Sequence, residues 1–125
     1  LMPSVITNTG KAEMLARVLN YTDDLIIHLF INDVTLSVNN ILSDFTEMTA
    51  ADYASIKLDQ NWSITNDTAS YVEVSFDVTE AATAYGFYIT DESETILLWA
   101  EKYDTPETVG AGGGSFLITP EMVIS

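Results

Sequence analysis

The stretch AYGFYITDESETILLWAEKY, residues 84–103, decides the fold. Two runs rich in aromatic and β-branched residues, 84–90 and 95–103, flank the polar segment Asp91-Glu92-Ser93-Glu94. Such residues favour strands, and a short polar segment between two such runs is typical of a β-hairpin. Gly86 lies inside the first run, where a glycine indicates a bulge or the close approach of another backbone. The stretch therefore predicts two antiparallel strands joined by an acidic turn.

Further strands are predicted on both sides of this hairpin. A buried strand is predicted at residues 24–31, which after Asp24 are apolar on both faces apart from His28. Tyr71–Val78 alternates polar with apolar side chains, as a half-buried strand does. Shorter strands are predicted at 53–58, 62–65, 116–119 and 122–124. Because a parallel sheet needs crossover helices, for which this chain has little room, we expect a mainly β fold: an antiparallel β-sandwich or jelly-roll-like barrel.

One short helix is predicted at residues 10–20, which contain good helix formers. Asn8 or Thr9 is the predicted N-cap, and Asn20 is the predicted end. The apolar stripe of this helix consists of Met14, Leu15, Val18 and Leu19. A chain of 125 residues has the length of one domain. We expect it to comprise an extended arm (1–9), the helix (10–20) and a β-sandwich (24–125).

The charge balance is strongly acidic, with 19 Asp and Glu residues against 4 Lys and Arg residues and a net charge of −15. Binding to nucleic acid or to an anionic membrane needs clustered basic residues, so we expect neither partner. The longest apolar runs are too short to span a bilayer. The chain contains no cysteine, which excludes disulfides and thiolate metal sites.

The sequence offers little of the chemistry that an enzyme needs. His28 is the single histidine, and its place in an apolar strand favours hydrogen bonding within the fold over catalysis. The acidic segments Asp91–Glu94 and Asp23-Asp24 do not follow the EF-hand spacing, and Gly110–Gly114 lacks the Lys-Ser/Thr of a phosphate-binding loop. We therefore predict no catalytic residue, no cofactor, no metal site and no enzymatic activity. Calcium at the acidic segments and a pair of catalytic carboxylates stay open as alternatives.

Motifs along nearly the whole chain share their order with a known group of proteins. They are the helix at 10–19, LFINDVT (29–35), SDFTEM (43–48), YA (53–54), NWSI (61–64), TASY (68–71), AYGFY (84–88), LLWAE (97–101) and ITP (118–120). In this layout the chain resembles small structural proteins of tailed bacteriophages, including head decoration (cement) proteins. It departs from them at Thr35-Leu36-Ser37, where a proline turn is expected.

The resemblance implies a virion structural protein, in particular a capsid decoration protein on the outside of the phage head. The implied partner is the major capsid protein, and we expect a homo-oligomer arranged by the capsid symmetry. The candidate contact residues, Met2, Pro3, Val5 and Ile6, are apolar enough to pair with a neighbouring strand or to lie in a groove. The other possibility is that Val5 and Ile6 pair within their own domain.

Two other functions stay open at this stage. One is a tail or fibre component of the same kind of particle. The other is a carbohydrate-binding module, in which an exposed Trp62 or Trp99 would stack on a sugar ring. Packing of these aromatic side chains in the core is the competing interpretation.

Overall fold

The computed structural model describes residues 2–20 and 24–124. In these ranges the chain forms one α-helix, nine strands and a short 3₁₀-helix at Leu42–Asp44. The bounds are α1 (Asn8–Leu19), β1 (Leu25–Phe30), β2 (Ile56–Leu58), β3 (Ser63–Thr65), β4 (Thr68–Ser70), β5 (Val74–Val78), β6 (Ala82–Thr90), β7 (Leu97–Val109), β8 (Gly114–Ile118) and β9 (Glu121–Val123). All the strand pairs are antiparallel. The prediction of a mainly β, antiparallel fold with one α-helix is confirmed.

A four-stranded sheet with the order β2-β1-β6-β7 forms the centre of the fold. Two smaller sheets, β3-β4-β9 and β5-β8, contribute side chains to the same core. That core includes Ile27 and Ile89 from the central sheet, Phe76 from β5 and Phe116 from β8. Two layers of antiparallel strands around one core are consistent with a β-sandwich. In the described part of the chain, the sheets do not close into a barrel.

The other face of the central sheet is covered by the long segment between β1 and β2. Neighbouring side chains of a strand lie on opposite faces, so Leu29 belongs to the main core whereas Phe30 lies on the other side. There Phe30 packs with Val34, Phe45 and Tyr88 in a second apolar cluster. This cover explains why all six residues of β1 are buried, as their apolar character on both faces predicted.

Helix α1 begins earlier than the sequence predicted, at Asn8 rather than residue 10. Its N-cap is Thr7, not Asn8 or Thr9, because the Thr7 hydroxyl accepts a hydrogen bond from the Gly10 N–H at 3.0 Å. The predicted end at Asn20 is correct, and the Asn20 amide group exchanges two hydrogen bonds with the backbone of Trp62. Of the predicted stripe, Leu15 and Leu19 are buried, whereas Met14 and Val18 are half exposed.

The hairpin is present as β6 and β7, and Gly86 allows the two strands to approach closely. A Cβ atom at Gly86 would lie 2.1 Å from the Glu101 carbonyl oxygen and 2.8 Å from the Lys102 Cα atom. The register of the two strands shifts beside Gly86, as its position predicted. Strand β7 continues through Pro106 to Val109 because it is the edge strand of its sheet, where a residue without an N–H group is tolerated.

Two predicted strands are shorter than their alternating patterns suggested. The strand predicted at 71–78 starts at Val74, because the Tyr71 N–H bonds to the Pro120 carbonyl and its hydroxyl donates to Asp59. The strand predicted at 53–58 starts at Ile56, because the Tyr53 N–H closes a turn onto Ala50. In residues 2–20 and 24–124, no helix has the length and apolar character to cross a membrane.

Candidate functional site

The four residues predicted to contact a partner lie together in an extended segment before α1. This segment, residues 2–7, is called the arm below. Its side chains are exposed, Met2 to 88%, Val5 to 83% and Ile6 to 50%. In the structure as described, the arm belongs to no strand, so the alternative in which Val5 and Ile6 pair within their own domain is not observed. The arm therefore presents apolar side chains to the solvent.

A groove lies between the loop Leu36–Asn40 and the strand segment Leu97–Ala100 of β7, and its volume is about 450 Å³. Its rim is apolar and exposed, and Val38 is as accessible as in an extended chain at 101%. Three of the residues that line the groove are exposed apolar side chains: Leu36, Val38 and Leu98. Contiguous exposed apolar surface of this kind marks sites of protein interaction. The sequence did not predict this groove.

Polar side chains hold the loop that forms one wall of the groove. Asn40 accepts a hydrogen bond from the Ser37 N–H at 2.7 Å, and its amide donates to Asp44 at 3.1 Å. Asp44 also accepts from the Ile41 N–H at 3.0 Å, and these bonds hold the pKa of its carboxyl below the usual range. A turn from Ser37 to Asn40 thus takes the place of the proline turn expected from the resemblance. Hydrogen bonds between polar groups hold this loop, and the Val38 side chain is left in the solvent.

The second candidate site is a buried hydrogen-bond network around His28, which is only 2% exposed. Its Nδ1 atom lies 2.7 Å from Glu47 Oε2, and its Nε2 atom lies 3.0 Å from Thr90 Oγ1. The Tyr53 hydroxyl donates to the same Glu47 oxygen at 2.6 Å and accepts from the Leu29 N–H at 3.0 Å. The network thus joins β1 to β6 and to the segment that covers the outer face of the central sheet.

Both ring nitrogens of His28 have a hydrogen-bond partner within the fold. The Thr90 hydroxyl lies 3.0 Å from His28 Nε2 and also 3.0 Å from the Asp91 carbonyl oxygen. Glu47 Oε2 accepts a hydrogen bond from the Tyr53 hydroxyl and is also the partner of His28 Nδ1. The Tyr88 ring stacks on the imidazole ring with centroids 4.6 Å apart.

A cavity of about 300 Å³ is lined by this network together with Leu42, Phe45 and Glu94. Burial and the hydrogen bond to Glu47 raise the pKa of Tyr53, and burial raises the pKa of Tyr88. Neither tyrosine is thus an easily ionised group. His28 is held within the fold by Glu47 and Thr90, so it forms hydrogen bonds there as its strand position predicted.

The acidic turn between β6 and β7 has a structural explanation of its own. The Asp91 carboxylate accepts hydrogen bonds from the backbone N–H groups of Thr95 and Ile96, at 2.8 and 2.9 Å, and from the Ser93 hydroxyl. The bonds from Ser93 and from the backbone hold the pKa of Asp91 far below its usual range. In residues 2–20 and 24–124, no group of three or more His, Asp and Glu side chains is placed to hold a metal ion, and Asp23 lies outside these ranges.

The two tryptophans do not form an exposed stacking platform. Trp62 is buried, and its ring meets that of Trp99 edge to face at 5.9 Å between centroids. Trp62 also contacts Tyr71, and both Tyr71 and Trp99 are partly buried against the core. This packing gives the carbohydrate-binding alternative no support.

No protein-family model matches this chain, and no curated protein or solved structure is significantly similar to it.

Proposed function

We propose that this protein is a structural component of a phage virion, in particular a capsid decoration protein that binds the major capsid protein on the outside of the head. One observation carries the proposal: an exposed apolar arm is attached to a well-packed, acidic β domain. Met2, Val5 and Ile6 are accessible, whereas the domain behind them has a continuous core. An arm of this kind is suited to pairing with the edge or groove of a neighbouring subunit.

The charge of the chain is consistent with binding of many copies to the surface of one particle. With a net charge of −15, the domain is strongly solvated and resists unspecific association. Binding must then come from a few uncharged segments, each of which contributes a modest free energy. On a symmetric particle such contacts act together, because each bound copy raises the effective concentration of the next contact. A jelly-roll-like arrangement of the sandwich and a location on the capsid exterior are parts of the same proposal.

Fractionation of phage particles that contain this chain tests the proposed location. We expect the protein to co-sediment with heads, to be accessible to an antibody on intact particles and to occur in a copy number set by the capsid symmetry. Recovery with tails or fibres alone would replace the head assignment with the tail alternative. Recovery with neither fraction would overturn the virion proposal.

Rebinding to heads that lack the protein tests the role of the arm. The double variant Val5→Ser/Ile6→Ser removes apolar side chains that are worth roughly 1.5–3 kcal/mol each when fully buried, so we expect its affinity to fall about tenfold or more. Val72→Ser is the matched control, because Val72 is exposed to 72% but lies outside the arm. Equal affinities of the two variants would show that the arm does not contact the head.

A further inference from the structure

We propose that the groove between Leu36–Asn40 and Leu97–Ala100 receives the arm of a second copy of this chain, which adds a strand to the free edge of β7. This inference rests on the proposed assembly function and names the contact that joins the copies. It assigns one occupant to a surface that sequence reasoning missed, and it gives the arm a partner of defined chemistry.

The first argument is the sheet edge. Strand β7 is the last strand of the order β2-β1-β6-β7, and within the described chain it pairs along one side with β6. An edge strand has backbone N–H and C=O groups that are available to another extended chain. At roughly 3.3 Å per residue, the segment Leu97–Ala100 is about 13 Å long and the five residues Met2–Ile6 span about 16 Å. The arm is therefore long enough to follow the whole groove.

The second argument is apolar surface on both partners. In the groove, Leu98 is 42% exposed and Val38 is fully exposed, and in the arm Met2 and Val5 are exposed to more than four fifths. Contact between the two surfaces removes both from water, and burial of apolar area contributes about 25 cal/mol per Å².

The third argument is the distribution of charge. Most surfaces of two copies repel each other, because each copy carries a net charge of −15. Residues 2–10 contain no charged side chain, and the next residue along the chain is Lys11. The two groove segments, 34–43 and 95–100, are also uncharged. Charged residues flank them, and of these Asp33 is paired with Lys102. The arm and the groove are thus uncharged surfaces of a very acidic chain, and two copies can meet there with the least repulsion between like charges.

The stoichiometry favours a second copy over a different occupant. Each copy has one arm and one groove, so exchange of arms between two copies fills both grooves with identical contacts, as two-fold symmetry requires. In the structure of one copy the arm lies exposed rather than in its own groove. A segment of the capsid protein and the copy's own arm are the competing occupants, and the experiment below separates them.

Disulfide trapping with the purified chain tests the contact, since the natural sequence has no cysteine. Val5→Cys and Leu98→Cys are prepared as separate single variants, one of which carries a mass tag, and are mixed under mild oxidation. A disulfide forms only when the two Cβ atoms come within about 3.5–4.5 Å, so we expect a tagged–untagged dimer to accumulate at least tenfold faster than with the control pair Val5→Cys and Val72→Cys. Val72 is a suitable control because it is exposed at a site away from the groove.

Equal rates for the two pairs would overturn the inference. So would a natural chain that stays monomeric by sedimentation at every concentration, which would leave the groove to the capsid protein. The double variant Val5→Cys/Leu98→Cys in one chain tests the remaining occupant. A disulfide within a single chain, formed at a rate independent of concentration, would show that the arm binds its own groove. These measurements need no phage particle, so failure of the natural chain to fractionate with phage particles would overturn the proposed function and keep this contact.

Discussion

Glu47 Oε2 lies 2.7 Å from His28 Nδ1 and connects the segment that covers the central sheet to the strand beneath it. The same oxygen accepts a hydrogen bond from the Tyr53 hydroxyl, so one side chain is the partner of two buried polar groups. Glu47 itself forms an isolated bridge with Phe30 through the backbone. This residue therefore helps to position the cover that buries the outer face of β1.

Replacing Glu47 by alanine tests the importance of this carboxylate. We expect Glu47→Ala to lower the free energy of unfolding by about 1–3 kcal/mol, because the His28 Nδ1–H and the Tyr53 hydroxyl would lose their shared acceptor. Urea unfolding at neutral pH measures the loss. Glu94→Ala is the control: the Glu94 carboxylate is half exposed and 3.6 Å from His28 Nε2, so its removal should cost less than about 1 kcal/mol. Equal losses for the two variants would contradict the network.

Gly86→Ala should be among the most damaging single substitutions in the chain. A methyl group at this position would overlap the Glu101 carbonyl and the Lys102 backbone, so β6 and β7 would have to separate. We expect a loss of about 3 kcal/mol or more, measured by thermal unfolding, or a failure to fold. Gly112→Ala is the matched control, because a Cβ atom there would meet no atom within 4 Å. A Gly86→Ala variant as stable as the control would show that the two strands do not approach in this way.

The acidic turn predicts a pH dependence of stability. Hydrogen bonds to the ionised Asp91 lower its pKa in the folded state below the ordinary value of 3.8. The contribution of Asp91 to the free energy of unfolding is therefore complete at pH values above its pKa in the unfolded chain. It is lost as the pH falls below about 3.8 toward the pKa of Asp91 in the folded protein. We expect Asp91→Asn to have a lower melting temperature than the natural chain at about pH 6. At about pH 2 the two melting temperatures should be close to each other.

Asp104→Asn serves as the control for that experiment, because Asp104 is an exposed acid on β7. It removes the same charge, so it corrects for the general effect of acidity on a chain of net charge −15. A constant difference between Asp91→Asn and Asp104→Asn across the acidic range would contradict the role of the Asp91 hydrogen bonds.

Salt should stabilise this protein. With 19 acidic and 4 basic residues, repulsion between carboxylates opposes the compact state, and ions screen this repulsion. We expect the melting temperature to rise between about 0.05 M and 0.5 M sodium chloride. Calcium chloride at matched ionic strength is the comparison: an increase far beyond that with sodium chloride would indicate a specific calcium site instead of screening. A melting temperature that falls with salt would contradict the argument.

Local features of this fold were predictable because the residues that decide them are close in sequence. The α1 end at Asn20, the hairpin around Asp91 and the bulge at Gly86 each follow from side-chain chemistry within a few positions. The start of α1 was placed too late because three hydroxyl or amide residues, Thr7, Asn8 and Thr9, stand in a row, and each is a suitable cap.

The remaining features depend on contacts between distant parts of the chain. Alternation at 71–78 predicted one strand, but it contains no information that Tyr71 would bond to Asp59 and Pro120 and so change sheets before Val74. The sequence also did not predict that Glu47 is the partner of His28, because a long irregular segment separates the two residues. Of the candidate site, the sequence predicted the contact residues Met2, Pro3, Val5 and Ile6 and left pairing within their own domain open, whereas the groove needed the tertiary structure. Its one sequence signal is the pair of uncharged runs, 34–43 and 95–100, in a very acidic chain.

Strand β1 has a consequence for biosynthesis, since its partners are made long after it. Its register joins Ile27 to Ile56 of β2 and to Ile89 of β6. At a synthesis rate of roughly 5–20 residues per second, this apolar hexapeptide waits for several seconds at the ribosome before β6 emerges. Non-local strand pairs also form slowly after release. The nascent chain is thus exposed to chaperones and to aggregation during that interval, and slower elongation before residue 90 would lower the yield of folded protein.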